Sequence, residues 1–181
     1  ALQETMATPP RIYFLDELEW VKKEIPNGKY LKSASIPKLL EKADKIVYLP
    51  CLKTHSQGRF TASLKLSVGL MKPLERVRLH LRRLEEKVAE LNVLIKPDLI
   101  IMDARKVFVT DGPSEGQIEA PNLILASNDR VAIDVEGVKI LRSYGAKNHL
   151  NMPVWELPQI KRAAELELGA KSEEEYKVFQ L

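Results

Sequence analysis

Lys53, Thr54, His55, Thr61, Ser63 and Lys65 fall within one short stretch of the chain. The two lysines bring positive charge, His55 brings a ring that titrates near neutral pH, and the hydroxyls bring short hydrogen-bond donors. That mixture suits the binding of a phosphate or carboxylate, or the transfer of a proton. The stretch follows an apolar run, Lys45 to Pro50, that reads as a buried strand, and precedes Phe60 to Leu70, which reads as helical. In open α/β sheets, ligands bind where strands end and helices begin. For any single residue the plainer reading is a polar strand-to-helix loop with a capping residue. The stretch has neither the G-x-x-x-x-G-K-[ST] spacing of a phosphate loop nor the second histidine of H-E-x-x-H.

More candidates lie downstream. Arg76, His80 and Arg83 stand at i, i+4 and i+7 and so share a helix face. That face is either solvated, balanced by Glu75, Glu85 and Glu86, or turned toward the Lys53–His55 loop as part of the same anion site. A lone histidine among arginines is a poor start for a cation site, so no metal ligands are assigned. Asp103 closes the apolar run Leu99 to Met102, where a carboxylate either faces the ligand crevice or caps a turn. Ser127, Asn128 and Asp129 form a helix-capping cluster before a largely apolar helix. Asp134 sits inside that helix and, if buried, needs a partner, with Lys65 or an arginine the expected one. His55, His80 and Asp103 are therefore the catalytic candidates. Lys53, Thr54, Thr61, Ser63, Lys65, Arg76, Asn128 and Asp129 are the ligand-binding candidates.

The elements that must position these residues alternate between strand and helix signals. Residues 1–10 carry no period and end on Pro9-Pro10, which reads as a loose arm. Arg11 to Leu15 is strand-like. Leu18 to Ile25 fits strand or helix, and Pro26-Asn27-Gly28 is a turn signal, so a hairpin across 19–34 is expected. Ser35-Ile36-Pro37 opens a short helix over Lys38–Lys42. Leu74, Val77, Leu81, Leu84, Val88 and Leu91 make one narrow apolar seam, which predicts a continuous helix over 74–91. Packing of that helix on a sheet is the first expectation, and a helix pair across a homodimer the second. Asn122 to Ala126 reads as a third buried strand. A last helix runs from Trp155 to Leu168, and residues 170–181 form a tail. Together these predict a single α/β domain over 1–181, with a mostly parallel sheet flanked by helices.

Length and composition bound the rest. The chain of 181 residues, 45% hydrophobic and 29% charged, is ordinary for one globular domain with a real core. A net charge of +3 with few aromatic residues is a weak basis for nucleic-acid binding. The single cysteine, Cys51, excludes an internal disulfide and any iron–sulfur cluster ligated wholly by this chain's cysteines. Cys51 itself reads as a small buried hydrophobe. No apolar run approaches a membrane span and no signal peptide opens the chain, so no membrane partner and a cytoplasmic location are expected. The cofactor is left open. Because the chain opens on Ala, a fragment or a processed product is one expectation.

The ordered set of segments resembles a known family. Ala43 to His55 resembles the AD-x-hydrophobic…P-x-x-K-T-H segment of the domain of unknown function 362 family. Thr61 to Leu70 is similar to its T-x-S-L-K-N-x-x-G segment, and Arg76 or Arg78 with His80 to its R…H pair. Pro97 to Asp103, Gly112-Pro113…Gly116 and Ala126 to Asp134 match further segments in order. The resemblance covers roughly residues 35–169. Two positions depart from the pattern: Leu66 stands where the family has Asn, and Arg130 where a Pro usually starts the helix. The resemblance also implies an amino-terminal α/β portion that is mostly absent here, and in some relatives appended ferredoxin-like modules. The family's name carries no activity.

Two functions of different class follow. One is an enzyme or ligand-binding domain for a small anionic molecule, with Lys53, Lys65 and an arginine near position 76 holding the anion. His55 or His80 would then act as acid or base, and Asp103 or Asp134 would orient it. The other is a non-catalytic module that docks an iron–sulfur or other redox partner through a basic face. Convergence of Lys53, His55, Lys65, His80 and Asp103 favours the first, and their dispersal over an open face favours the second.

Overall fold

A computed structural model describes residues 10–181. Apart from Pro10, the arm expected at the amino terminus lies outside the described residues. Three strands form the central sheet in the order β3 (Val47–Tyr48), β6 (Leu99–Ala104) and β9 (Leu123–Ser127). β3 runs parallel to β6, and β9 antiparallel to it. Three two-stranded antiparallel ribbons complete the strand content. They pair β1 (Trp20–Glu24) with β2 (Ser33–Pro37), β4 (Lys53–His55) with β5 (Arg59–Thr61), and β7 (Val107–Phe108) with β8 (Ile118–Glu119).

The fold is thus α/β in content, but its sheets are mainly antiparallel, which corrects the mostly parallel sheet read from the sequence. The reason lies in the connections. A parallel pair needs a long crossover, and only the segment between β3 and β6 supplies one. β6 returns to β9 through the β7–β8 ribbon, which reverses the chain instead.

Five helices pack around these strands: α1 (Ser63–Leu66), α2 (Pro73–Leu79), α3 (Leu84–Leu91), α4 (Arg130–Ser143) and α5 (Pro158–Glu165). α4 covers the inner face of the central sheet, burying Val131, Val135, Val138 and Leu141 in the core that holds Leu52, Ile100 and Met102. Gly137 permits this approach, because a Cβ there would lie 2.9 Å from Leu52 Cδ1 and 3.1 Å from Met102 Cε. The outer face of the same sheet stays open, with Val47, Leu49, Leu99, Ile101 and Ile124 exposed. The runs around β3 and β6, read as buried strands, are therefore buried on one face only, and in β9 no residue is buried, with Leu125 and Ser127 half-buried. Cys51, expected inside, is exposed as well.

The continuous helix predicted over 74–91 is broken. α2 ends at Leu79, and Arg83 adopts a left-handed conformation (φ 55°) before α3 begins. Leu79 and Leu84 are both buried, yet five residues of helix would turn them about 140° apart. Breaking the helix lets both point inward. The apolar seam is divided as a result: Leu84, Val88 and Leu91 enter the core, while Leu74, Val77 and Leu81 are exposed. No single seam remains to carry a helix pair between two copies. The region read as helical over 60–70 likewise opens as β5, continues as the four-residue α1, and closes in a 3-10 turn over Ser67–Leu70. Arg11 to Leu15 forms no strand; a 3-10 turn spans Leu15–Glu17.

Arg130, where the family pattern has proline, turns out to be a buried tie. Its guanidinium donates to the carbonyls of Asn92 (2.7 Å), Ile95 (2.6 Å) and Leu168 (3.1 Å). It thereby satisfies carbonyls just past the end of α3 that the helix itself leaves unpaired.

Candidate functional site

The β4–β5 ribbon carries Lys53, His55, Arg59 and Thr61, and the short α1 that follows carries Lys65. The tight turn between the strands brings Gly58 against the His55 ring. A Cβ on Gly58 would lie 3.4 Å from Lys65 Cε and 3.8 Å from His55 Nδ1, so the lysine stem and the imidazole both pack against this turn. His55 Nδ1 accepts hydrogen bonds from the backbone N–H groups of Gln57 (3.2 Å) and Gly58 (3.1 Å). Accepting at Nδ1 fixes the neutral ring with its proton on Nε2. Burial lowers the His55 pKa to about 4, reinforced by the charges of Lys65, His80 and Lys53. His55 is therefore a neutral donor at pH 7, where the sequence suggested a ring titrating near neutrality.

His80 shows the opposite arrangement. Its Nδ1 donates to the Arg76 carbonyl at 2.7 Å, which leaves Nε2 as the accepting atom of the neutral ring. Lys65 is half-buried, and burial together with the neighbouring Lys53 lowers its pKa to about 8. Among the described residues, no carboxylate forms an ion pair with Lys53, Lys65 or His80. Four of the five residues whose convergence was in question thus gather.

The fifth does not. Asp103 is engaged by Arg105, with Arg105 Nη2 2.7 Å from its carboxylate, and that pairing pulls its pKa down to about 2. It shares a face with the exposed Leu99 and Ile101 along β6, on the open side of the sheet.

Several expected ligand contacts prove to be internal. The Thr54 hydroxyl is buried within reach of the carbonyls of Phe108 (3.0 Å) and Thr110 (2.8 Å). Asp129 caps α4, accepting from Val131 and Ala132 N–H through Oδ1 and from Ala170 N–H through Oδ2. Asn128 beside it is exposed. Arg76 is half-buried and meets the site through its carbonyl. Thr61 stays a candidate, because its Oγ1 is enclosed without a partner.

Ser63 and Asp134 form the anchor of α1. Asp134 is fully buried and accepts from Ser63 N–H (2.7 Å), Ser63 Oγ (2.6 Å) and Leu64 N–H (3.2 Å). A carboxylate from α4 thus caps the helix that presents Lys65, so Asp134 acts on Lys65 through the backbone rather than as its ion partner. Burial pushes the Asp134 pKa up to about 7 against those donors. Ionising it inside the protein costs more than ionising it in the unfolded chain. Its stabilising contribution is therefore complete below the ordinary carboxylate pKa and is lost as pH rises to about 7. Denaturant titrations of wild type and Asp134→Asn should diverge over that window. Wild type should lose on the order of a few kcal/mol relative to the variant.

Beside His55 lies a cavity of about 190 Å³ lined by Thr54, His55, Ser56, Arg59, Asp111, Lys147, Asn148 and His149. Arg59 pairs with Glu85, whose other oxygen is buried without a partner. Lys147 and His149 come from a loop that carries no motif. The sequence signal for them was only a histidine in an irregular segment, so they were not among the candidates. Gly112 follows the lining residue Asp111 and lies against β4. It has φ +73°, and a Cβ there would lie 2.1 Å from the Thr54 carbonyl oxygen. Gly112→Ala is expected to cost about 1–3 kcal/mol of stability in urea unfolding and to lift the 111–116 loop from β4.

Among the described residues no group of three His, Cys, Asp or Glu side chains gathers as a metal site would require. No helix among them is long and apolar enough to cross a membrane. A family model described as Domain of unknown function (DUF362) matches residues 2–139. The match begins well before the segments that carried the sequence resemblance and ends within α4. No curated protein and no solved structure matches the chain.

Proposed function

The chain belongs to the DUF362 family, and on that footing we propose that it recognises a small anionic molecule, a phosphate or carboxylate, beside His55. One observation carries the reading: Lys53 and Lys65 stand close to each other and to the His55 ring, with no carboxylate paired to either among the described residues. Cations held together without compensation repel one another, and a bound anion relieves that repulsion. Neutral His55 would add an Nε2–H donor, and Lys53 and Lys65 would supply charge. Lys65, whose pKa lies near 8, is the group best placed to exchange a proton near physiological pH. That role would fall to it rather than to His55.

The half-buried Lys65 and the enclosed Thr61 hydroxyl speak for a ligand site over a docking face for a redox partner. Isothermal calorimetry with sulfate, inorganic phosphate and acetate tests the reading. Saturable binding that Lys53→Met weakens is the expected result. Heats that Lys53→Met and Lys65→Met both leave unchanged would refute it.

A further inference from the structure

Away from His55, α2 presents an outward face unlike the rest of the surface. Leu74, Val77 and Leu81 are 76%, 67% and 75% exposed. Leu74 and Val77 share one face of α2, and Leu81 follows in the turn just past its end. Arg78 follows Leu74 by four residues and borders the same face. From Lys72 to Arg83 the chain carries five lysines and arginines, and its one acid is Glu75. Glu75 is not free to balance them, because its two oxygens accept from Ser35 N–H and Ser35 Oγ at 2.7 Å each.

Arg78 also lines a cleft of about 240 Å³ between α2–α3 and the β1–β2 ribbon. Lys22 and Lys87 line it as well, together with Leu31, Met71 and Leu79. Glu75 is the one carboxylate in the lining. Among the described residues Lys22, Arg78 and Lys87 form no ion pair. The apolar face and the cationic cleft are therefore continuous through Arg78.

We propose that α2 and this cleft dock on an anionic phospholipid surface. The three apolar side chains enter the acyl boundary while Lys22, Arg78 and Lys87 take up a lipid phosphate. Apolar groups interleaved with arginine are what a helix lying in the interface presents, and such a contact is distinct from a span. A second copy of the chain fits less well. A stable dimer buries about 800 Å² on each partner, more than three side chains offer. A two-fold contact would also set Arg78 and Arg82 against their own copies.

Cosedimentation with vesicles tests this, using phosphatidylcholine alone and phosphatidylcholine mixed with phosphatidylglycerol, with sedimentation velocity on the same protein. Binding to the mixed vesicles alone, falling as salt rises, is the expected result. The triple variant Leu74→Ser, Val77→Ser, Leu81→Ser should lower partitioning about tenfold or more. Arg78→Gln with Lys87→Gln should remove the preference for phosphatidylglycerol. All three apolar positions are exposed, so circular dichroism should show an unchanged fold. Three outcomes overturn the proposal. The first is equal or absent binding to the two vesicles, or partitioning that the triple variant leaves intact. The second is a dimer that the triple variant dissociates in a protein that ignores vesicles. The third is binding of inorganic phosphate at the cleft, lost in the Arg78/Lys87 variant, without vesicle binding.

Discussion

Replacing Lys65 by methionine should weaken sulfate or phosphate binding by about a hundredfold, the largest single effect expected at the site. A charge-assisted hydrogen bond in a partly buried setting is worth roughly 1.5–3 kcal/mol, and about 2.7 kcal/mol corresponds to that factor. Methionine keeps the apolar stem of lysine beside Leu84 and His55, so the loss would report the ammonium group and not a cavity. The pH dependence gives a second, independent readout. Burial and Lys53 hold the Lys65 pKa near 8 in the free protein. Below that pH the amine is already charged and affinity should be flat. Above it each binding event must recruit a proton, so affinity should fall about tenfold per pH unit. Sulfate is the probe of choice because its charge does not change over this range. Lys65→Met should abolish the slope along with the affinity. A slope that survived in the variant would assign the titration to another group and remove Lys65 from the site.

The part of this arrangement legible in the sequence is the part carried by nearby residues. Lys53, His55 and Lys65 are separated by one short ribbon and one helical turn, so their clustering follows from local chain geometry. The wrong strand and helix boundaries did not disturb it. His80 joined the cluster for a reason the periodicity misjudged: the helix it was assigned to breaks there. Residues contributed from afar were invisible. Lys147 and His149 reach the cavity from a loop without a pattern, and nothing in their spacing points to β4.

Roles were harder to read than positions. Thr54, Ser63 and Asp129 have the hydroxyl and carboxylate chemistry of ligand contacts, yet each satisfies backbone groups that a fold must satisfy anyway. Asp134 was expected to need a partner, and its partners are the backbone N–H groups and hydroxyl at the start of α1, not a lysine or arginine. Apolar runs of five or six residues looked like buried strands. Counting apolar residues cannot tell a strand covered twice from one covered once, and here the outer face is open. The direction of strands depends on connections far longer than any motif, which is why the parallel sheet was misread.

Glu90 illustrates the same blindness and carries the largest expected effect on stability. In the sequence it is one acid on the polar side of a helix. In the structure it is fully buried and ties three elements together. It accepts from the N–H groups of Lys29 (2.8 Å), Tyr30 (2.9 Å) and Leu31 (2.6 Å) in the β1–β2 ribbon. From α5 it takes Arg162 through Nε (2.9 Å) and Nη2 (2.8 Å). Burial alone would raise its pKa, but those donors overcome it and hold the pKa below the usual carboxylate value. A depressed carboxylate stabilises the fold above its unfolded pKa and loses that contribution as pH falls through the folded one. Glu90→Ala would leave those three half-buried N–H groups and the Arg162 guanidinium unanswered. The expected cost is about 3–5 kcal/mol in denaturant unfolding. Glu90→Gln keeps the shape and offers one carbonyl oxygen, so it should recover part of that loss. Both variants should flatten the acid limb of the stability profile, since the group that titrates there is gone. Removing Arg162 as well should cost less than the sum of the two single losses, because the second deletion no longer strands a buried charge. Additive losses would mean that Glu90 holds the ribbon alone and that α5 is merely adjacent.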